Sequence, residues 1–242
     1  MRTIVILSLI ACCDFAQAQN VSKTIPVQPN QKIFMHFDFP ELIKVSTWDK
    51  NAISIEGTVD INDGENNDAF VLDSKANGNT VEIKGFIKNM DELPKRMMVI
   101  RDNKKITFKS KEEYRKYVRE HGKDINVYSD GSDINITLEI KVPKNMNTRV
   151  VSVYGMVEIK NFNGPLAVEA TYGGVDVSVA EKSVGELLAE TDYGQIYTNL
   201  DSKPTAREEG DFHTEILMKP GVGSRYSLES KYGNVYLRKI SQ

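Results

Sequence analysis

The sequence predicts an all-β chain, built as a parallel β-solenoid-like stack of Tyr-Gly repeats, each about 20 residues long, with one inserted α-helix. Residues 32–39, 42–48 and 52–61 alternate apolar and polar side chains and are rich in β-branched types, as half-buried strands require. From residue 150 onward one template recurs, apolar-x-small-x-Tyr-Gly-x-apolar-x-apolar. At 110–122 the period changes to a helical one, which supplies the single helix.

The elements follow in chain order. Met1-Arg2 is a short positive start, residues 3–13 are an apolar run too short to span a bilayer, and Ala16-Gln17-Ala18 is a small-x-small cleavage site. Residues 1–18 are therefore expected to be a signal peptide, with Gln19 first in the mature chain and the protein exported to the periplasm, cell surface or medium. A competing expectation takes Leu9-Ile10-Ala11-Cys12 as a lipobox with Cys12 as a lipid anchor; simple cleavage is preferred because Cys12 comes early. Both cysteines, Cys12 and Cys13, lie in this segment, so a mature chain from Gln19 would have no disulfide, Cys-ligated zinc or Cys nucleophile. Removing residues 1–18 takes away Arg2 and Asp14, so the formal net charge stays at -3. Apolar residues make up 40% and charged residues 27%, a globular balance in which nothing suggests a nucleic-acid partner. No later apolar stretch is long enough for a membrane helix.

An N-terminal β region, 19–130, contains the strands named above, with turns at 49–51, 62–64 and 77–79, and carries a helical insertion near 89–125. Within the insertion Ser110 and Glu113 read as a capping box, Tyr114, Tyr117, Val118 and His121 follow at helical spacing, and Gly122 ends the helix. Its Tyr114/Tyr117/Val118 face is expected to cover a sheet. After a turn at 129–132 the strand 134–142 opens a Tyr-Gly repeat region, 131–242, continuous with what precedes.

Four units carry the template, centred on Tyr154, Tyr172, Tyr193 (with Thr198 in its last place) and Tyr232; residues 209–216, EGDFHTEI, supply a degenerate fifth with Phe212 in the aromatic place. Units this short cannot bury their apolar faces alone, so neighbours should stack with equivalent Val, Ile and Leu side chains in ladders. A β-sandwich or meander in which Tyr-Gly opens each hairpin turn is the alternative. Gly after Tyr is expected to supply a positive φ, and the rings to stack from level to level. Period-two alternation favours an inside or corner place for Tyr154, Tyr172, Tyr193, Phe212 and Tyr232. The same residues exposed in a row would form a ligand-binding platform for sugars.

Residues 138–144, LEIKVPK, followed by Val153-Tyr154-Gly155-x-Val157-x-Ile159 and repeated Tyr-Gly-x-Val units, resemble the bacterial adhesin-like family of β-strand repeat proteins, relatives of the head domain of autotransporter adhesins. Residues 45–55, VSTWDKNAISI, are similar to an opening motif of that group, and the Ala-Gln-Ala-Gln start to exported proteins of the Bacteroidetes type. The resemblance covers most of 30–240, with 89–125 least matched. It implies a β-repeat fold and a binding role. No membrane barrel follows the repeats here, so an anchor is expected only if Cys12 is lipidated.

Catalytic signals are sparse. His36, His121 and His213 are far apart in sequence and each reads as an ordinary strand, helix-end or turn residue, so no metal is expected. Residues 60–68, DINDGENND, look calcium-like, but an EF-hand loop counted from Asp60 would need Gly and Glu where Glu65 and Val71 stand. No nucleophile elbow, phosphate loop or dinucleotide fingerprint occurs. Glu158 and Asp176, outward on neighbouring units, are the pair a glycan-cleaving enzyme would use. The expectation is a non-enzymatic, cofactor-free adhesin-like protein presenting a surface to a glycan or a cell-envelope protein. A periplasmic structural or envelope-stress protein comes second and a carbohydrate-active enzyme third.

Overall fold

The computed structural model describes residues 18–102, 104–122 and 127–240. Residues 1–17 of the expected signal segment, with Cys12 and Cys13, lie outside the described residues. In chain order the strands are β1 (Gln19–Pro26), β2 (Lys32–Phe37), β3 (Leu42–Trp48), β4 (Ala52–Ile61), β5 (Phe70–Asn77), β6 (Thr80–Ile87), β7 (Arg96–Arg101) and β8 (Lys104–Phe108). Helix α1 (Lys111–His121) follows, then β9 (Val127–Gly131), β10 (Ile134–Pro143), β11 (Thr148–Ser152), β12 (Met156–Ile159), β13 (Leu166–Ala170) and β14 (Val175–Val179). The rest are β15 (Val184–Thr191), β16 (Ile196–Thr198), β17 (Ala206–Glu209), β18 (Thr214–Met218), β19 (Ser224–Ser230) and β20 (Val235–Lys239).

Alternation in these segments separates two faces. Along β10, Ile136, Leu138, Ile140 and Val142 are buried; along β14, Val175, Val177 and Val179 are. Their polar neighbours face outward. Two large open sheets result, one ordered β1-β4-β10-β3-β12-β14-β20-β16 and the other β17-β18-β15-β19-β13-β11-β2-β6-β5. Their inward residues belong to one hydrophobic core. In the second sheet the register aligns Met35, Val150, Val168, Leu228 and Ala189 into one inward column. In the first it aligns Leu138, Ile43, Val157, Val175, Val235 and Ile196. Each fully buried Val, Leu or Ile contributes roughly 1.5–3 kcal/mol.

The all-β expectation holds, with one α-helix among the described residues. A regular solenoid of consecutive levels is not what the sheets show. β19 pairs with β13 on one side and β15 on the other, so the last Tyr-Gly unit lies between the units of Tyr172 and Tyr193. The degenerate unit is not a parallel level either: β17 and β18 form an antiparallel hairpin on the outer edge of β15. Neither sheet is closed, and β1, β4, β5 and β6 add further antiparallel pairs.

The insertion carries a small third sheet, β8-β7-β9, which the helical reading of 89–125 missed. The turn expected at 129–132 is strand β9 up to Gly131. Ser110 Oγ accepts a hydrogen bond from Glu113 N at 3.2 Å, and Glu113 Oε2 accepts one from Lys109 N at 2.8 Å, so the cap is present with its return bond shifted by one residue. Gly122 ends the helix at φ +81°. Tyr114 and Tyr117 lie 5.7 and 5.1 Å from Phe108, covering a small separate core of Met97, Val99 and Phe108.

Candidate functional site

Each Tyr-Gly unit is a strand of the second sheet, a tight corner, and a strand of the first. The small residue of the template ends the first strand and points inward: Ser152, Thr191 and Ser230 are fully buried. Their hydroxyls hold the corner. Ser152 Oγ accepts from Gly155 N (3.2 Å) and donates to the Gly155 carbonyl (2.8 Å). Ser230 Oγ accepts from Gly233 N (2.9 Å) and donates to the Gly173 carbonyl of the adjoining corner (2.8 Å). Thr191 Oγ1 accepts from Gly194 N (3.1 Å) and donates to the Gly233 carbonyl (2.9 Å).

The glycines serve close approach, not a positive φ. Gly155, Gly173, Gly194 and Gly233 are absent from the positive-φ residues. A Cβ on Gly173 would lie 2.0 Å from the Gly155 carbonyl oxygen, and one on Gly194 would lie 1.9 Å from that of Gly233. Corners stacked backbone on backbone leave no room for a side chain.

That stacking sets the rings. Phe39, Tyr154, Tyr172, Tyr232, Tyr193 and Phe212 follow one another along a single edge of the molecule. Successive tyrosine centroids are 5.0–5.2 Å apart with planes within 12° of parallel. Phe39 stacks on Tyr154 at 5.6 Å, and Phe212 meets Tyr193 at 5.6 Å, tilted by 40°. The inside position is not the one adopted. The template strand ends at the small residue, period-two alternation stops there, and the tyrosines stand at the corner, 46–57% exposed, with Phe212 at 67%. The row is exposed, and its rings are stacked. Parallel rings cover one another's faces and turn their edges and hydroxyls outward. Sequence reasoning missed Phe39, which has no glycine after it, and a second stack, Tyr197 on Tyr236 at 5.2 Å.

Beside this ridge the outward face of the second sheet is acidic. Glu169, Glu229, Glu190, Glu215 and Glu208 stand directly opposite one another on β13, β19, β15, β18 and β17. Arg149 grips Glu169 with two bonds of 2.8 and 2.7 Å. The carboxyl of Glu229 is pushed above the usual carboxylate range by its packing and then by the charges of Glu190 and Glu169. Beside Glu190, the middle member of the row, His213 Nδ1 lies 3.1 Å from Asp192 Oδ1 and 3.8 Å from Glu190 Oε1. The Asp192 contact raises the pKa of His213, and the charges of Glu190 and Asp192 add to it.

The other sequence candidates disperse. Glu158 and Asp176 are opposite each other, but Lys160 binds the first at 3.0 Å and Arg238 the second at 2.7 Å. His36 pairs with Asp38 at 3.0 Å, and His121 stacks on Tyr117. The calcium-like tip is tied up internally. Asn67 Oδ1 accepts from Ile61 N at 2.8 Å, Asn62 Nδ2 donates to Asn66 Oδ1 at 2.8 Å, and Glu65 binds Arg96 and Lys109 of the insertion.

No family model matches the chain, and no curated protein matches it. Among solved structures it is similar to a proposed cell adhesion protein from Clostridium sporogenes ATCC 15579, with a TM-score of 0.47 and 10% identity over 93% of this chain and 100% of that one. A proposed adhesin from Bacteroides fragilis NCTC 9343 gives 0.21 and 11% over 92% and 97% of the two chains. A proposed lipid binding protein from Parabacteroides distasonis ATCC 8503 gives 0.24 and 10% over 92% and 97%. At such scores the functional reading rests on this chain's own surface. Among the described residues no helix is long and apolar enough to cross a membrane.

Proposed function

We propose that the chain is an exported, non-enzymatic binding protein of the adhesin-like type, and that the aromatic ridge is its contact surface for a cell-envelope protein. The observation that carries this reading is the continuous exposed row from Tyr154 to Phe212. Rings held by stacking offer large contact area at little cost in side-chain entropy, and tyrosine is the side chain that interfaces use in that way. A protein partner fits the geometry better than a sugar, because pyranoses stack on open ring faces and these faces are closed by neighbours. Phe212, tilted out of the stack, is the ring best placed to take a sugar.

A photo-crosslinking residue placed at Tyr172 in intact cells tests this, with the same residue at Lys75, which lies on β5 at the far edge of the second sheet, as control. One discrete envelope-protein adduct from position 172, absent from position 75, is the expected outcome. Glycan binding that disappears in Phe212→Ala, without a ridge-specific adduct, would replace the protein partner with a sugar.

A further inference from the structure

The donor atoms of Glu190, Asp192 and His213 all lie within 4.8 Å of one another, although they come from β15, from the corner just after it and from the turn of hairpin β17–β18. The imidazole Nδ1 is 3.1 Å from one carboxylate oxygen and 3.8 Å from the other. Nitrogen and oxygen donors held about 2.0–2.2 Å from one zinc ion stand roughly 3.0–3.5 Å apart, so small side-chain movements close the cluster on a metal. We propose that Glu190, Asp192 and His213 bind a divalent transition metal of the zinc class, which clamps hairpin β17–β18 to the end of the aromatic ladder.

The chemistry of the set selects the ion. All-oxygen clusters suit calcium or magnesium, whereas one imidazole with two carboxylates suits a borderline metal. Three protein ligands leave a coordination position for water or for a partner's side chain. The surroundings favour a cation as well, since the strand register puts Glu229 and Glu215 on either side of Glu190. The placement ties the ion to the ridge. Asp192 directly precedes Tyr193 and His213 directly follows Phe212, the two rings of the last step of the ladder. A metal joining the two segments fixes that step.

The test uses the full chain, stripped of metal and titrated calorimetrically with ZnCl2, with thermal unfolding followed in parallel. One zinc per chain is expected, together with a rise in Tm on the order of 5–10 °C at a hundredfold excess over Kd, reversed by EDTA. Affinity should tighten from pH 6 to pH 8, as His213 gives up its proton. His213→Gln and Asp192→Asn should each weaken binding more than about tenfold, while His36→Gln, which removes the separate His36–Asp38 pair, leaves it unchanged. Absence of zinc binding, equal binding by His213→Gln, or loss in His36→Gln instead would overturn the site. None of these readings depends on the identity of the envelope partner.

Discussion

Gly173 shows how little space a corner has. Its missing Cβ would lie 2.0 Å from one backbone oxygen and 2.4 Å from the carbon that carries it, so neither neighbour can rotate away as a side chain could. Gly173→Ala is expected to cost about 2–4 kcal/mol, read as a lower urea midpoint at unchanged slope. Gly78→Ala, at φ +57° with nothing within 4 Å of the added carbon, is the comparison and should cost only about 1 kcal/mol. Equal losses at both positions would mean that conformation, not approach, governs the corner. The recurrence of Gly after Tyr was plain in the sequence. Its reason was not, because a glycine required for positive φ and one required for contact are written the same way.

At the scale of elements, what could be read locally was read, and what depended on a neighbour was not. The cap of α1 uses residues three apart, Ser110 and Glu113, and the helix falls where they predict. Strands β7 and β8 escaped notice because Arg96, Arg101, Lys104 and Lys105 give that hairpin a polar look, although Met97, Val99 and Phe108 alternate inward. The degenerate unit around Phe212 was legible as an echo, but its antiparallel pairing with β15 was not. That pairing is what brings His213 to Asp192, across 21 positions of sequence. The glutamate row is a property of register alone and has a pH signature. A carboxyl whose folded pKa is raised above its unfolded value contributes no penalty while protonated in both states; stability is then lost as pH rises through the raised value. Glu229→Gln should therefore match the unaltered chain near pH 4 and be more stable at pH 7 by about a few tenths of a kcal/mol, since Glu229 is exposed and solvent screens the repulsion. Thermal unfolding at the two pH values reads it, and a gain at pH 4 of the same size would remove the charges as its cause.

Over the whole molecule, the inward columns explain why the order of levels could not be read in advance. Val168, Leu228 and Ala189 are nearly interchangeable ladder rungs, so nothing local tells β19 to enter between β13 and β15. Any order of these three rungs would bury the same side chains. The consequence at the surface is the same for any ordering: stacked corners force stacked rings, and the ridge forms on one edge. Its exposure in the isolated chain and its coverage in the cell are the central claim. Tyrosine nitration with peptide mass spectrometry tests both, comparing purified protein with intact cells. In purified protein Tyr154, Tyr172, Tyr193, Tyr232 and the off-ridge Tyr197 should all react, while Tyr226, buried and with its phenol pushed up to about 12, should not. In cells the ridge tyrosines should be protected and Tyr197 should still react. Equal modification of the ridge and Tyr197 in both samples would contradict the ridge as a contact surface.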